Sequence, residues 1–165
     1  MTSSKKVMIL GGLALIVLGM VFGLWYALFA EHQQLDEIGK QLTTGFALAA
    51  ERKMPDSHSA IHSYAAAHYD YVRHVDLHSH WGGLAILLIV LGAAFHRVGF
   101  DERKRRVLAV GLLLGAFLFP LGVILETIDH GPLPQVLAVF GSALVVGTLA
   151  AIAVGFMREA DSRQL

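Results

Sequence analysis

Cysteine is absent from this chain of 165 residues. Without thiolates the chain can form no disulfide, thiolate zinc site, iron–sulfur cluster or c-type haem attachment. Any bound metal must therefore be held by nitrogen and oxygen ligands, with methionine as a further donor. The sequence also has neither an HExxH motif nor a nucleophile elbow, so hydrolysis at a zinc site is a weaker hypothesis than the others.

Charged residues are scarce as well. They make up 16% of the chain, whereas 55% is hydrophobic and the mean hydropathy is +0.59, a composition that excludes an ordinary soluble domain. Four apolar runs, each close to the ~20 residues that a ~30 Å hydrocarbon core requires, lie at 7–30, 82–98, 107–128 and 135–157. Because lipid offers backbone groups no hydrogen-bond partners, we expect an all-α membrane protein in which residues 1–165 form one domain of four transmembrane helices.

Lysine and arginine are divided unequally between the two sides of such a bundle. Nine of the thirteen fall on one side: Lys5, Lys6, Arg97, Arg103, Lys104, Arg105, Arg106, Arg158 and Arg163. The positive-inside rule then places both termini in the cytoplasm of a protein of the inner membrane. We expect the first run to be an uncleaved anchor, because it is too long for a signal peptide. The basic cluster forms a short topogenic loop and predicts no nucleic-acid binding.

The segment 31–81 between the first two runs is predicted to be an outer, extracytoplasmic helical elaboration. Eight of the nine histidines lie on this outer side. Apolar residues between 35 and 50 recur with a helical period. We expect Pro55 to end this helix and Asp56 or Ser57 to cap the next one. Because neither proline nor glycine occurs from 57 to 81, that helix is expected to continue into the second run.

Helical periodicity sorts the unusual residues into faces, since each residue advances ~100° around the axis. One face of the second run carries His78 together with small residues, and His74 lies one turn before it. One face of the third run carries Gly111, Gly115, Gly122, Glu126 and Asp129. Small residues permit close helix packing in lipid, and a carboxylate within a span usually faces a partner or a cavity. Both faces are therefore predicted to point into the bundle.

These faces predict a metal centre at the outer membrane surface. Its ligands would be His74, His78, Glu126, Asp129 and His130. Imidazole and carboxylate ligands suit copper, iron or zinc. Alternatively, His78 and His130 are the axial ligands of a haem b between the second and third runs. Tyr26, Tyr71, Arg73 and Trp81 would support either site.

A possible second site uses the neighbouring histidines. His58 and His62 are four residues apart, a spacing that lets two imidazoles share one metal. His80 shares a helical face with His62. The simpler alternatives stay open: the histidines are interfacial surface residues, Glu126 accepts a hydrogen bond from Tyr26 or pairs with Arg73, and the glycines serve packing alone.

The stretch His78-Ser79-His80-Trp81-Gly82-Gly83, at the start of the second run, resembles the His-x-His helix starts of haem–copper oxidase subunit I and related small bacterial membrane proteins. The resemblance covers about twenty residues of one helix. It implies haem or copper held by histidines in a helical bundle. The chain has only four runs and few histidines within them, so a complete dinuclear oxygen-reducing centre is not predicted.

The sequence therefore favours a membrane metal or haem protein that transfers electrons, with quinol as a possible donor. If it is an enzyme, it is a metal-dependent oxidoreductase. Two other hypotheses remain: a noncatalytic accessory subunit of a larger membrane complex, and a proton-linked sensor, because histidines titrate near neutral pH.

Overall fold

The computed structural model describes residues 2–129 and 131–162, and it contains no β-strand within those ranges. The helices are α1 (Ser3–Phe29), α2 (Glu31–Ala50), α3 (Met54–Ala94), α4 (Glu102–Leu125) and α5 (Pro132–Ser162), with a 3₁₀ turn at Phe95–Arg97 after α3. The predicted all-helical architecture is confirmed.

Four segments are long and apolar enough to cross a membrane: Ser3–Phe29, Met54–Arg97, Glu102–Leu125 and Pro132–Ala160. At ~1.5 Å per residue even the shortest of them, α4, is ~36 Å long and exceeds a ~30 Å hydrocarbon core. Each covers most or all of one run predicted from the sequence. The chain therefore has the helices of a multi-pass membrane protein.

The break between α2 and α3 differs from the sequence prediction. Helix α2 ends at Ala50, and Arg52 takes a left-handed backbone conformation with φ 60°. Pro55 lies in the first turn of α3, where its missing N–H is not needed. The expectation that Pro55 ends α2 was therefore wrong, as was the expected cap at Asp56 or Ser57, because both residues lie inside α3.

The chain divides into two compact units, one formed by Met1–Met20 and Leu77–Leu165, here called the bundle unit, and one formed by Val21–Asp76, the hairpin unit. In the hairpin unit α2 and α3 pack antiparallel. The buried Ser57 hydroxyl donates to the carbonyl oxygen of Gly45 at 2.9 Å. A Cβ at Gly45 would lie only 2.8 Å from a terminal carbon of Ile61, so glycine permits this approach.

Glycine also sets the approach of α1 to α3 within the bundle unit. A Cβ at Gly12 would lie 2.8 Å from the carbonyl oxygen of Ala85, and one at Gly92 would lie 3.1 Å from the Cβ of Met8. Ala85 and Met8 are fully buried. The face of the second run that carries His78 therefore packs against α1.

The glycine face of α4 packs against a different helix, α5. A Cβ at Gly115 would lie 2.9 Å from the carbonyl oxygen of Gly141, and one at Gly122 would overlap the backbone nitrogen of Ala138. Lipid tails are as apolar as leucine, so helices in a membrane associate through such close van der Waals contact. The close approach of α4 and α5 therefore depends on glycine, which has no side chain, at positions 115 and 122.

Polar contacts fix the starts of α1 and α4 beside each other. The backbone N–H and the hydroxyl of Ser4 donate to the two carboxylate oxygens of Glu102, at 2.8 Å and 3.1 Å. Ser4 is 1% exposed. The carboxylate thus lies near the positive ends of two parallel helices, where a negative charge is favourable.

Asp101 is the N-cap of α4. Its side chain accepts the backbone N–H of Lys104 at 2.9 Å. This hydrogen bond, followed by smaller contributions from the Lys104 ammonium, holds the pKa of the Asp101 carboxyl below its ordinary value. The cap satisfies one of the N–H groups that have no partner in the first turn of a helix.

We expect Gly141→Ala to lower the free energy of unfolding by about 1 to 3 kcal/mol, the usual cost of overpacking. The added methyl group would overlap the backbone nitrogen of Phe119. The matched control is Gly147→Ala in the same helix, because no heavy atom lies within 4 Å of its Cβ position. Denaturant unfolding of both variants in detergent would measure the difference, and equal stabilities would contradict the packing described for α4 and α5.

We expect Asp101→Asn to keep the cap but to remove its acid sensitivity, because asparagine caps as well as aspartate and carries no charge. Because the pKa of Asp101 is lowered from its ordinary value of 3.8, the stabilisation is complete above pH 3.8 and is lost as the pH falls through the lower folded-state pKa. The measurement is the melting temperature between about pH 6 and pH 2. A wild-type slope identical to that of the variant would disprove the role of this carboxylate.

Candidate functional site

The side chain of His78 forms a hydrogen bond with the backbone of α1 within the bundle unit. Its ring nitrogen Nδ1 lies 2.9 Å from the carbonyl oxygen of Gly19. A carbonyl oxygen only accepts, so Nδ1 carries the proton and Nε2 of the neutral ring keeps its lone pair. Gly19 permits the contact, since a Cβ there would lie 3.3 Å from the Cβ of Trp81. The His78 side chain is otherwise exposed.

His74 has the same tautomer as His78, but the carbonyl group that sets it belongs to its own helix. In the hairpin unit its Nδ1 lies 2.7 Å from the carbonyl oxygen of Asp70, one turn earlier in α3. The half-buried ring stacks on Tyr26 with a centroid distance of 5.0 Å and an interplanar angle of 9°, and on Phe22 at 6.3 Å and 6°. Its orientation is thus fixed by two rings and one carbonyl group.

Tyr26 is held at both ends of its side chain. The residue is 6% exposed, its ring stacks on His74, and its hydroxyl donates to Oε1 of Gln34 at 2.7 Å. The alternatives for Glu126, a hydrogen bond from Tyr26 or a pair with Arg73, stay predictions. The contact joins the end of α1 to the first turns of α2.

The carboxylates predicted from the third run lie beyond the regular helix. Helix α4 ends at Leu125, Glu126 is its half-buried C-cap, and residues 126–128 form a turn. The exposed Asp129 uses Oδ1 to accept the backbone N–H of Gly131 at 2.9 Å, a local turn contact. The helical period that grouped Asp129 with Gly122 thus does not apply there. His130 lies outside the described residues.

The remaining predicted residues have separate surroundings. His58 and His62 are exposed on α3, and Tyr71 is half-buried. Arg73 donates to the hydroxyl of Tyr69 at 2.8 Å and lies over its ring, 4.7 Å from the centroid.

In the bundle unit, the half-buried His80 contacts the ring of Phe119 edge-on at a centroid distance of 4.9 Å. Trp81 is buried, with its ring 6.4 Å from that of Phe117. The two aromatic side chains that follow His78 thus both contact α4.

Within residues 2–129 and 131–162, no three histidine, aspartate or glutamate side chains converge as a group that could hold one metal ion. The predicted five-residue centre and the second site stay predictions.

Two residues that contact this group, Phe22 and Gln34, were not predicted from the sequence. Phe22 lies one helical turn before Tyr26, so the i, i+4 spacing could have indicated it. Gln34 is separated from Tyr26 by the break between α1 and α2 at Ala30, and helical periodicity cannot predict contacts across such a break. Gln34 also lines a cavity of about 280 Å³, together with Gln33, Glu37, Asp70 and two alanines.

We expect Tyr26→Phe and Gln34→Leu each to lower the free energy of unfolding by about 0.5 to 1.5 kcal/mol, the usual net value of one hydrogen bond. Because both changes remove the same bond, the double variant should lose less than the sum of the single losses. A double-mutant cycle from denaturant unfolding measures this coupling. Tyr64→Phe, combined with Gln34→Leu, serves as the control and should be additive; additive losses for Tyr26 itself would contradict the bond.

The described side chains thus include two histidines with Nδ1 on a carbonyl oxygen, His78 in the bundle unit and His74 in the hairpin unit. His74 belongs to a stacked aromatic group, whereas His78 is exposed. Comparisons of the chain with protein-family models, with curated proteins and with solved structures find no match.

Proposed function

We propose that this chain is a multi-pass inner-membrane protein, with both termini in the cytoplasm, that binds a transition metal or haem b at its extracytoplasmic side and transfers electrons. The observation that carries the proposal is the contact between Nδ1 of His78 and the carbonyl oxygen of Gly19, at 2.9 Å. It supports His78 as the ligand, with Nε2 as the donor atom.

Metal-binding histidines almost always donate their second ring N–H to a carbonyl or carboxylate group. That hydrogen bond fixes the tautomer, orients the ring and makes the ligating nitrogen more basic. The Gly19 carbonyl supplies this contact from a neighbouring helix, so the ring is oriented before any metal binds. Exposure leaves the rest of the ring accessible to a ligand.

A single orienting histidine suits haem better than a bare ion. Haem iron needs only one or two axial protein ligands, because the macrocycle supplies the other four. The two residues that follow one turn after His78 are Gly82 and Gly83, and no heavy atom lies within 4 Å of either Cβ position. Small residues with open space beside the ligand favour a flat group there.

Copper or iron would serve electron transfer, whereas zinc has no redox chemistry. Quinol is a suitable donor class for a site at the membrane surface.

His74 fits a supporting role, since its ring is half-buried between α3 and two aromatic side chains. The accessory-subunit and proton-sensor hypotheses predict no bound cofactor.

We expect the full chain, purified in detergent from a haem-producing host, to carry haem or stoichiometric copper or iron. His78→Ala should weaken the binding by about tenfold or more and so lower the occupancy after purification, because even outer-shell partners of metal ligands change affinity 10- to 100-fold. Visible absorption spectra and elemental analysis measure the two forms of occupancy.

His96→Ala is the matched control, because His96 is exposed and lies near the C-terminal end of the same membrane segment, away from His78. This variant should retain full occupancy. Wild-type protein without haem or metal would overturn the proposal and favour the accessory-subunit or sensor hypothesis. Undiminished occupancy in His78→Ala would show that another residue is the ligand.

A further inference from the structure

A cavity of about 520 Å³ in the bundle unit combines two kinds of wall at the start of α4. Arg103, Lys104 and Asp101 form its polar rim, and its other lining side chains are apolar. These are Phe100, Val107, Leu108 and Ala151, which belong to the connection before α4 and to the facing sides of α4 and α5. The cavity therefore extends from a charged helix end along an apolar helix surface.

The rim carries a net positive charge. Lys104 lies 3.4 Å from Asp101, and both side chains are more than half exposed, so this pair is weakly held. No acidic side chain among the described residues lies within ion-pair distance of the exposed Arg103. Its neighbour Arg105 differs, since it pairs with Glu102 at 3.3 Å. Arg103 is thus the cation available to an anionic ligand.

A third cation lies next to this rim. The guanidinium of Arg158 is 5.6 Å from the centroid of the Phe100 ring, which lines the cavity. Cations over aromatic rings are held in place without losing their charge. An anion at the rim would therefore meet the charges of Arg103 and Lys104 directly and that of Arg158 nearby.

The apolar wall continues into a segment that is long and apolar enough to cross a membrane. Val107, one of the apolar side chains that line the cavity, is 67% exposed. A free phosphate would use the cations but leave the apolar wall uncovered. An acyl chain covers such a wall at a favourable free energy that grows with each buried methylene group.

We propose that this cavity binds one anionic glycerophospholipid, with its phosphate at Arg103 and Lys104 and one acyl chain along Val107, Leu108 and Ala151. Basic pockets between membrane helices are suited to anionic headgroups. The excess of lysine and arginine in this connection also predicts that it faces the cytoplasmic leaflet. The lipid site does not depend on the proposed cofactor at His78.

The test is native mass spectrometry of the full chain released from micelles that contain phosphatidylglycerol or phosphatidylcholine. We expect one phosphatidylglycerol to remain bound preferentially. The double variant Arg103→Gln/Lys104→Gln should weaken this binding by roughly 30-fold, from the combined contribution of two cations near an anionic surface. Lys40→Gln, which removes an exposed lysine of the hairpin unit, should leave it unchanged.

A second variant tests the apolar wall without changing any charge. Ala151→Phe should fill the cavity and weaken the binding of phosphatidylglycerol, while its circular dichroism spectrum stays that of the wild type. Undiminished lipid binding in either variant would overturn the proposal. Equal retention of the two lipids would also overturn it, as would displacement of phosphatidylglycerol by millimolar inorganic phosphate, since that would indicate a simple phosphate site.

The double variant removes two residues that set membrane orientation, so its topology must be checked. Because the wild-type chain has no cysteine, a single Ser59→Cys change in the exposed part of α3 would report the side of the membrane by its labelling. The lipid affinities of the double variant and the wild type can be compared only if Ser59→Cys is labelled from the same side of the membrane in both proteins. Failure of the lipid test would leave the His78 experiment unaffected.

Discussion

Close backbone approach at glycine is the constraint on which the bundle unit depends. Lipid supplies no hydrophobic force between helices, so they associate through van der Waals contact at short range. Gly12 and Gly92 permit this contact between α1 and α3, and Gly115 and Gly122 permit it between α4 and α5. The bond of His78 to the Gly19 carbonyl follows from the same approach, because it requires the α1 backbone to lie beside α3.

The helices could be predicted from the sequence because the bilayer sets a length and demands satisfied backbone groups. Local capping was less predictable. Proline and serine are favoured both where a helix starts and inside its first turn, so Pro55 and Ser57 could not be assigned from residue type. Ser57 contributes a contact between helices instead, and only tertiary structure could reveal its partner.

The candidate site shows a similar limit. Helical periodicity identified a face of α3 that packs against another helix, and this is confirmed; it could not identify the neighbour. That face lies against α1, whereas the glycine face of α4 lies against α5. Periodicity also assumes an unbroken helix, and it failed for Asp129 beyond Leu125 and for Gln34 beyond Ala30. The tautomers of His74 and His78 depend on carbonyl groups that sequence patterns do not place.

The contact of Ser4 with Glu102 has a consequence for biosynthesis. The two residues are 98 positions apart in the chain, so the first helix emerges from the ribosome long before its acidic partner has been made. Two hydrogen-bonding groups of Ser4 must meanwhile remain solvated or be shielded by another molecule, since leaving such groups bare in an apolar environment is costly. Final assembly of this helix pair can therefore occur only after translation has passed the basic loop.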